Sequence, residues 1–435
     1  METETSTRTL KIRVTLLGDD LKAVKEQWGR FDNLVYQTFK AANWCTGGQY
    51  LNDQLLLRLQ QRAGVKDAAG RSQNKEVAKK IRDSMFGPGS VFEVLPKSVG
   101  EWDIKAAFPD LPPSVTNVLA RVVDQNYRND YVGVLKGERS LRTYKRNMSV
   151  PVMNLKVEQA GKDFNLVWRL PGYAEFQFTA VLGQDRGNYS ATLKKIISGE
   201  VVCSNPCTVK RDTRTGKVYM NVGVIEPKKV ADLDPTLCLG VDVGIRHPAY
   251  VGLSRGPARA AVGTREGLIH GRLQHQHRRR ALQKVGQVSR SGHGRKRKFA
   301  ALDRQADKEQ RWARTFNDNL SRQIVDFAIR HRAGVLKMED LRGVAEGEKK
   351  EWMLRNWGYF QLQTMIEQKA DRVGIRVVKI DPAYTSQTCS ECGNLESGQR
   401  DTVKQVFICK KCGVILDPDH NAAVNIARSE KIVGA

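Results

Sequence analysis

Four cysteines near the end of the chain constrain its folding more than any other feature. They come as two pairs, Cys389 and Cys392 in CSECG and Cys409 and Cys412 in CKKCG, with sixteen residues between the pairs. Four thiolates at this spacing suit a tetrahedral Zn²⁺. Gly393 and Gly413 follow the second cysteine of each pair, where a turn tucked under a metal favours positive φ. A redox CxxC is the rival, but it does not call for two glycine knuckles together. Four cysteines leave no open position, so the zinc is read as structural. Cys203 and Cys207, in CSNPC, have no partner pair nearby and read as ordinary strand and turn residues. Cys45 and Cys238 read as core cysteines.

A ribbon of this kind is only one part of a chain of 435 residues, a length that predicts about two to four domains. Hydrophobic residues make up 40%, enough to bury real cores and to argue against disorder. No run of eighteen apolar residues occurs, which argues against a membrane span. The start, METETSTRTLKIRV, has no apolar signal stretch, so a cytosolic protein is expected. Lysine and arginine total 72 against 47 acids, a net charge of +25. A field of that size points to a polyanionic partner, without telling DNA from RNA. A basic enzyme with no nucleic acid is the plainer alternative.

The pattern of apolar residues divides the chain. Leu10, Ile12, Val14 and Leu16 alternate with polar neighbours and predict a half-buried strand. From Asp20, Val24, Trp28, Phe31, Val35 and Phe39 recur at helical spacing. Residues 51–145 continue mostly helical, broken by GPGS at 87–90 and LPPS at 111–114. After Pro151, the runs LVWRL, FQFTAVL, YSATLKK and KVYMNVGVI read as short strands, and RDTRTGK at 211–217 as a hairpin turn. A strand and a later β block around a helical block predict a β-barrel with a helical insertion. From Leu237 strands and helices alternate, the signature of an α/β core.

In that core, acids stand at the ends of buried strands. Asp242 follows Leu237–Val241, and Glu339 follows Val335–Met338. Asp417 and Asp419 compete for a third place in DPDHNAAVNIA, where the chain enters its last helix. Acids so placed are held on rigid elements at a sheet's edge and can converge from far apart in sequence. Clustered carboxylates need a compensating cation, and hard oxygen donors favour Mg²⁺. Two such ions can activate a water and stabilise the leaving oxygen of a phosphodiester. Taken singly, each acid is equally well read as a strand-end cap or ion-pair partner.

The order GVDVG, LKMEDLRG, YTSQTCSECG with CKKCG, and DPDHNAAVNIA resembles the TnpB transposon nucleases and the compact type V CRISPR effectors. The motif match spans roughly residues 237–430, and the N-terminal half resembles the family only in layout. The resemblance implies a multidomain α/β protein. An N-terminal wedge-like β-barrel carries a helical recognition insertion, and an RNase H-like RuvC domain with an inserted zinc ribbon follows. On this layout residues 1–18 give the first wedge strand, 19–147 the insertion and 148–235 the rest of the wedge. Residues 236–383 give the nuclease core, 384–415 the ribbon and 416–435 the closing segment. The resemblance assigns metal binding to Asp242, Glu339 and Asp419, favouring Asp419 over Asp417 because it directly precedes the HNAAVN run. It also implies two Mg²⁺ ions, one zinc, a guide RNA, double-stranded DNA cut beside a short motif, and a prokaryotic cytoplasm. Both monomers and homodimers fit it. Pro418 stands where the family often has arginine, and IRHPAYV after Gly244 is less typical. A transposase using the same acids, or a guide-dependent binder that does not cut, are the rival functions.

Residues 272–298 hold ten lysines and arginines and no acid. Arg278, Arg279 and Arg280 in HQHRRR, and Arg295, Lys296, Arg297 and Lys298 in GRKRK, are the candidate nucleic-acid contacts. A solvated helix face is the rival reading. His275 and His277 are expected on the same basic surface. Trp28, Phe31, Trp44 and Trp102 are expected mostly in the core, with base stacking as the alternative.

Overall fold

The computed structural model describes residues 5–18, 20–64, 75–85, 100–185, 187–212, 215–228, 230–244, 246–288, 299–340, 358–401 and 404–433. The chain divides into two compact units, one of Thr7–Pro227 and one of Lys228–Ala435, the second also taking Thr5 and Ser6.

The first unit is built on β1 (Thr5–Leu16), whose Leu10, Ile12, Val14 and Leu16 are buried while alternate residues are exposed. Asp20 then caps α1 (Leu21–Arg62) by accepting from Ala23 N at 2.6 Å. α2 (Lys75–Met85), α3 (Glu101–Ala107) and α4 (Pro113–Leu135) follow. The LPPS break places Pro113 at the start of α4, where a missing N–H costs nothing. GPGS at 87–90 lies outside the described residues. β2 (Val150–Val152), β3 (Lys156–Ala160), β4 (Asp163–Leu170), β5 (Ala174–Val181), α5 (Tyr189–Ile197), β6 (Val202–Cys203), β7 (Cys207–Arg211) and β8 (Val218–Pro227) complete the unit. β1 sits in the middle of their sheet, in the order β2-β7-β8-β1-β5-β4-β3 with β6 on β8. Phe31 of α1 packs edge-on to Phe176 and Phe178 of β5, with ring centroids at 5.7 and 5.9 Å.

Two expectations change here. The sheet is not a closed barrel among the described strands, because β2 and β3 are its two edges and do not pair. They are nevertheless joined by only residues 153–155, so the sheet must curl to bring its edges near each other. Asn154, at φ 54°, turns the chain there instead of continuing a ladder. YSATLKK is a helix, not a strand. Asp185 accepts from the N–H groups of Tyr189 and Ser190 at 2.7 and 3.0 Å, and this satisfies the first donors of α5. The flanks of RDTRTGK do pair as β7 and β8. Phe31 is fully buried, Trp28 packs against the core below the Arg211 guanidinium, and Trp44 lies edge-on to Phe108. Trp44 is 43% exposed and Trp102 78%, so neither is a core residue. Cys45 is buried, whereas Cys238, in the second unit, is only half-buried.

The second unit contains a five-stranded sheet in the order β11-β10-β9-β12-β13. Its strands are β9 (Asp234–Asp242), β10 (Ala249–Leu253), β11 (Arg259–Val262), β12 (Ala333–Glu339) and β13 (Arg376–Ile380). β9, β10 and β11 are antiparallel, while β12 and β13 run parallel to β9. The helices are α6 (Arg265–Val288), α7 (Ala300–Arg330), α8 (Tyr359–Arg372) and α9 (Pro418–Arg428). Along β9, Leu239 and Val241 face a core shared with Ile324 and Ala328 of α7 and Leu362 and Ile366 of α8. Gly240 and Asp242 therefore face the opposite side. That side receives α9, in contact with β9 and β10. β14 (Arg400–Asp401), β15 (Val406–Ile408) and β16 (Ile415–Leu416) form a small antiparallel sheet around buried Phe407. Among the described residues no helix is long and apolar enough to cross a membrane.

Candidate active site and metal centre

Parallel pairing sets the first two acids side by side. The register of β12 on β9 ends at Met338↔Val241, and one residue further on these strands come Glu339 and Asp242. Both therefore project from the same face at the same level. The third acid arrives on α9, and two glycines admit it. Gly240 and Gly252 are direct cross-strand partners on β9 and β10. A Cβ on Gly240 would lie 2.0 Å from the Ala423 carbonyl oxygen and 2.5 Å from the Ala427 nitrogen, so the α9 backbone rests directly on this glycine. Asp419, one turn before Ala423, then points along the face that carries Asp242.

Asp417 and Asp419 take different roles in the fold. Asp417 caps α9, accepting from Asp419 N at 2.9 Å and His420 N at 3.2 Å, and pairs with Arg246 at 2.7 Å. Asp419 is 6% exposed and has the Arg400 guanidinium 3.7 Å from Oδ1. Arg400 belongs to β14 and to no basic run, so nothing in the sequence marks it as a neighbour of the acids.

The electrostatics mark a crowded anionic cluster. Burial, then the charges of Glu339 and Asp419, push the Asp242 carboxyl up to about 8, with Arg400 opposing. Burial raises Glu339 while a hydrogen bond from Thr385 lowers it. Burial and then Asp417 raise Asp419, against Arg246, His247 and Arg400. Such groups take up a proton or a cation. All three offer hard oxygen donors, the donor type that a divalent ion such as magnesium takes. Thr385 Oγ1 donates to Glu339 Oε1 at 2.6 Å, and Gln363 Nε2 donates to the Glu339 carbonyl at 2.8 Å. Neither is legible in the sequence.

The four ribbon cysteines form a tighter group, with all Sγ atoms within 4.8 Å of one another. Their two knuckles match. Gly393 N donates to Cys389 O and Gly413 N to Cys409 O, both at 2.9 Å, and both glycines sit at φ 72°. Backbone N–H groups of Cys412 and Lys411 hold the Cys409 thiol down to about 6. This cluster could hold a structural zinc. Asn421 and Asn425, one turn apart on α9, fasten the ribbon. Asn421 Nδ2 donates to Thr388 O at 2.7 Å and its Oδ1 accepts from Ser390 N at 2.8 Å, while Asn425 Nδ2 donates to Thr385 O at 2.9 Å. The asparagines of the NAAVN run thus tie the ribbon stem to the helix that carries Asp419.

Arg278, Arg279 and Arg280 are exposed on α6. Arg279 pairs with Glu309 of α7 at 2.9 Å, and Arg279 and Arg280 line a cleft of about 530 Å³ with Arg272, Gln276 and Trp312. Arg295, Lys296, Arg297 and Lys298 lie outside the described residues. His275 is not on the basic surface: it is buried between α6 and α7, 2.8 Å from Gln305 and beside the Trp312 ring. Its helical face points to α7, whereas His277 is exposed. In the first unit Cys203 and Cys207 are closer than their sequence reading implies, with Sγ atoms 3.6 Å apart.

Residues 359–426 match the family described as Cas12f1-like, TNB domain. The CRISPR-associated endodeoxyribonuclease Cas12f1 of Sulfoacidibacillus thermotolerans is 33% identical over 306 residues, covering 68% of this chain and 71% of the relative. The Cas12f1 of Syntrophomonas palmitatica is 28% identical over 331 residues, covering 71% of this chain and 65% of the relative. The cryo-EM structure of a Cas12f1–sgRNA–target DNA complex superposes with a TM-score of 0.71 at 19% identity, covering 99% of this chain and 100% of the other.

Proposed function

The chain belongs to the Cas12f1 family of CRISPR-associated endodeoxyribonucleases, and on that premise we propose that it is an RNA-guided DNA endonuclease cutting at a single centre built from Asp242, Glu339 and Asp419. The observation that carries the reading is that Asp242 and Glu339 stand level on two parallel strands, and that α9, which carries Asp419, packs on the same face of the sheet. The strand order, with three antiparallel strands followed by two parallel ones, supports an RNase H-like RuvC core. The helical block between β1 and β2 supports the recognition insertion.

Asp242, Glu339 and Asp419 would hold two Mg²⁺ ions. Bound there, the metal supplies Lewis-acid stabilisation of phosphate charge and eases deprotonation of water. The remaining work belongs to the chain. Asp419 is buried and Asp242 and Glu339 are half-buried, which limits screening of the carboxylates by bulk water, and the sheet and α9 carry them on rigid elements. Arg400, 36% exposed in its side chain, stands beside Asp419 with donors for a phosphate oxygen. Water attacks phosphorus in line and the opposite P–O bond breaks. One strand end keeps the phosphate and the other gains a hydroxyl. Sequence choice comes from guide pairing, while the protein reads backbone, shape and a short flanking motif. The test is cleavage of a plasmid carrying the guide's complement beside a randomised motif. Equal cleavage without any guide would sink the RNA-guided reading.

The ribbon is expected to carry about one zinc per chain by metal analysis. Cys409→Ser should release it, loosen the ribbon and weaken cutting more than guide binding. Full activity in zinc-free protein would refute this.

Arg278, Arg279 and Arg280 are expected to bind nucleic-acid phosphates. Replacing all three by alanine should lower the slope of log affinity against log salt by roughly 0.7–0.9 for each phosphate no longer neutralised. Arg279 should contribute less, being paired with Glu309. An unchanged slope would make this stretch a solvated face.

A further inference from the structure

Glu339 is the acid whose orientation the strands alone do not fix, because a glutamate side chain keeps three rotatable bonds beyond its backbone. Its carboxylate meets Thr385, which lies 46 residues further on, on the stem that leads into the ribbon. Thr385 is 8% exposed. Its hydroxyl has one proton and two acceptors in reach, Glu339 Oε1 at 2.6 Å and the Pro382 carbonyl at 3.1 Å. The shorter, charge-assisted bond takes the proton. The Thr385 backbone is itself fixed, since its carbonyl accepts from Asn425 Nδ2 at 2.9 Å. Asn425 stands on α9, the helix that carries Asp419. A continuous hydrogen-bonded path thus runs from α9 through the ribbon stem to the Glu339 carboxylate.

We propose that Thr385 is a positioning residue for cutting: its hydroxyl pins Glu339 Oε1 and so preorganises the carboxylate for a divalent cation. This rests on the reading of Asp242, Glu339 and Asp419 as a cation site. Ligating carboxylates generally need such an outer partner, and losing it weakens metal binding without removing a ligand. The alternative role is a turn closure, in which the hydroxyl serves Pro382 and only stability is at stake.

The experiment uses the full, zinc-loaded chain. Mn²⁺ affinity is measured by calorimetry without nucleic acid, and plasmid cleavage with guide RNA is followed across Mg²⁺ concentrations. Thr385→Val, which keeps the shape and removes the hydroxyl, should weaken Mn²⁺ binding about tenfold and raise the half-maximal Mg²⁺ concentration by a similar factor. Saturating Mg²⁺ should then restore most of the rate. Thr385→Ser should recover both quantities. Parental Mn²⁺ affinity in Thr385→Val overturns the proposal, and a lowered melting temperature alongside it assigns the hydroxyl to the turn. Thr385→Ser binding as weakly as Thr385→Val also overturns it. Asp242→Ala separates the two levels: parental Mn²⁺ affinity in that variant overturns the cation-site reading itself, and this proposal with it.

Discussion

Asp242→Ala should bind guide RNA and matched DNA as the parent does and leave the plasmid uncut. Removing one metal ligand forfeits several kcal/mol of transition-state stabilisation, so cleavage should fall by roughly a thousandfold or more. Glu339→Ala and Asp419→Ala should behave alike, because each supplies a separate carboxylate to the same face. Asp417 is the control. It caps α9 and pairs with Arg246, so Asp417→Asn, which keeps a capping oxygen, should retain most of the activity. A parental rate in Asp242→Ala would end the RuvC reading.

The same residue gives a pH signature in EDTA. Asp242 ionises near 8 in the folded chain and near its ordinary value of 3.8 when unfolded. Between those values the folded state binds the extra proton, so this group lowers stability as pH rises from 4 to 8. Asp242→Asn removes that loss. Its melting temperature should exceed the parent's at pH 8 and approach it near pH 4. A difference that does not change with pH would contradict the crowding of these acids.

Gly240→Ala is the second large effect, and it acts on a residue that touches no substrate. The added Cβ would meet backbone atoms of α9 at 2.0 and 2.5 Å, and backbone cannot swing aside as a side chain can. The helix must lift by about 1 Å or more to reach ordinary contact distances. Overpacking of this kind costs about 1–3 kcal/mol. A displacement of about 1 Å at the reacting groups can cost about a hundredfold in rate, and Asp419 rides on the displaced helix. Gly252→Ala is the matched control, since its Cβ would meet Ala423 and Val424 side chains at 3.4 Å, which is tolerable. Gly240→Ala should melt lower and cut poorly, while Gly252→Ala should do neither to that extent. Parental melting and cutting in Gly240→Ala would show that α9 is not seated where its backbone meets β9.

Local pattern carries much of this protein's organisation. The two CxxCG pairs announce their cluster because each knuckle closes within five residues, and Gly393 and Gly413 do adopt the left-handed turn. Strand and helix periods identify β1, α1, β9, β12 and β13, since burial on one face imposes a repeat that survives in a linear string. Spacing also offers the acids that β9, β12 and α9 carry. YSATLKK reads wrongly as a strand because so short a run has no decisive period, and the Asp185 side chain makes it a helix by capping. Tertiary structure alone decides the rest. Where spacing leaves Asp417 and Asp419 level and only the family resemblance favours Asp419, it gives the first to a helix cap and an arginine and turns the second inward. It leaves the first sheet unclosed among the described strands, sets Arg400 beside Asp419, buries His275 against Trp312, and joins Glu339 to Thr385. Each of these depends on which distant segments meet, and side chains tens to hundreds of residues apart leave no periodic trace. The seat of α9 on Gly240 is the plainest case: the sequence contains a glycine, and only the helix resting on it explains why no other residue fits.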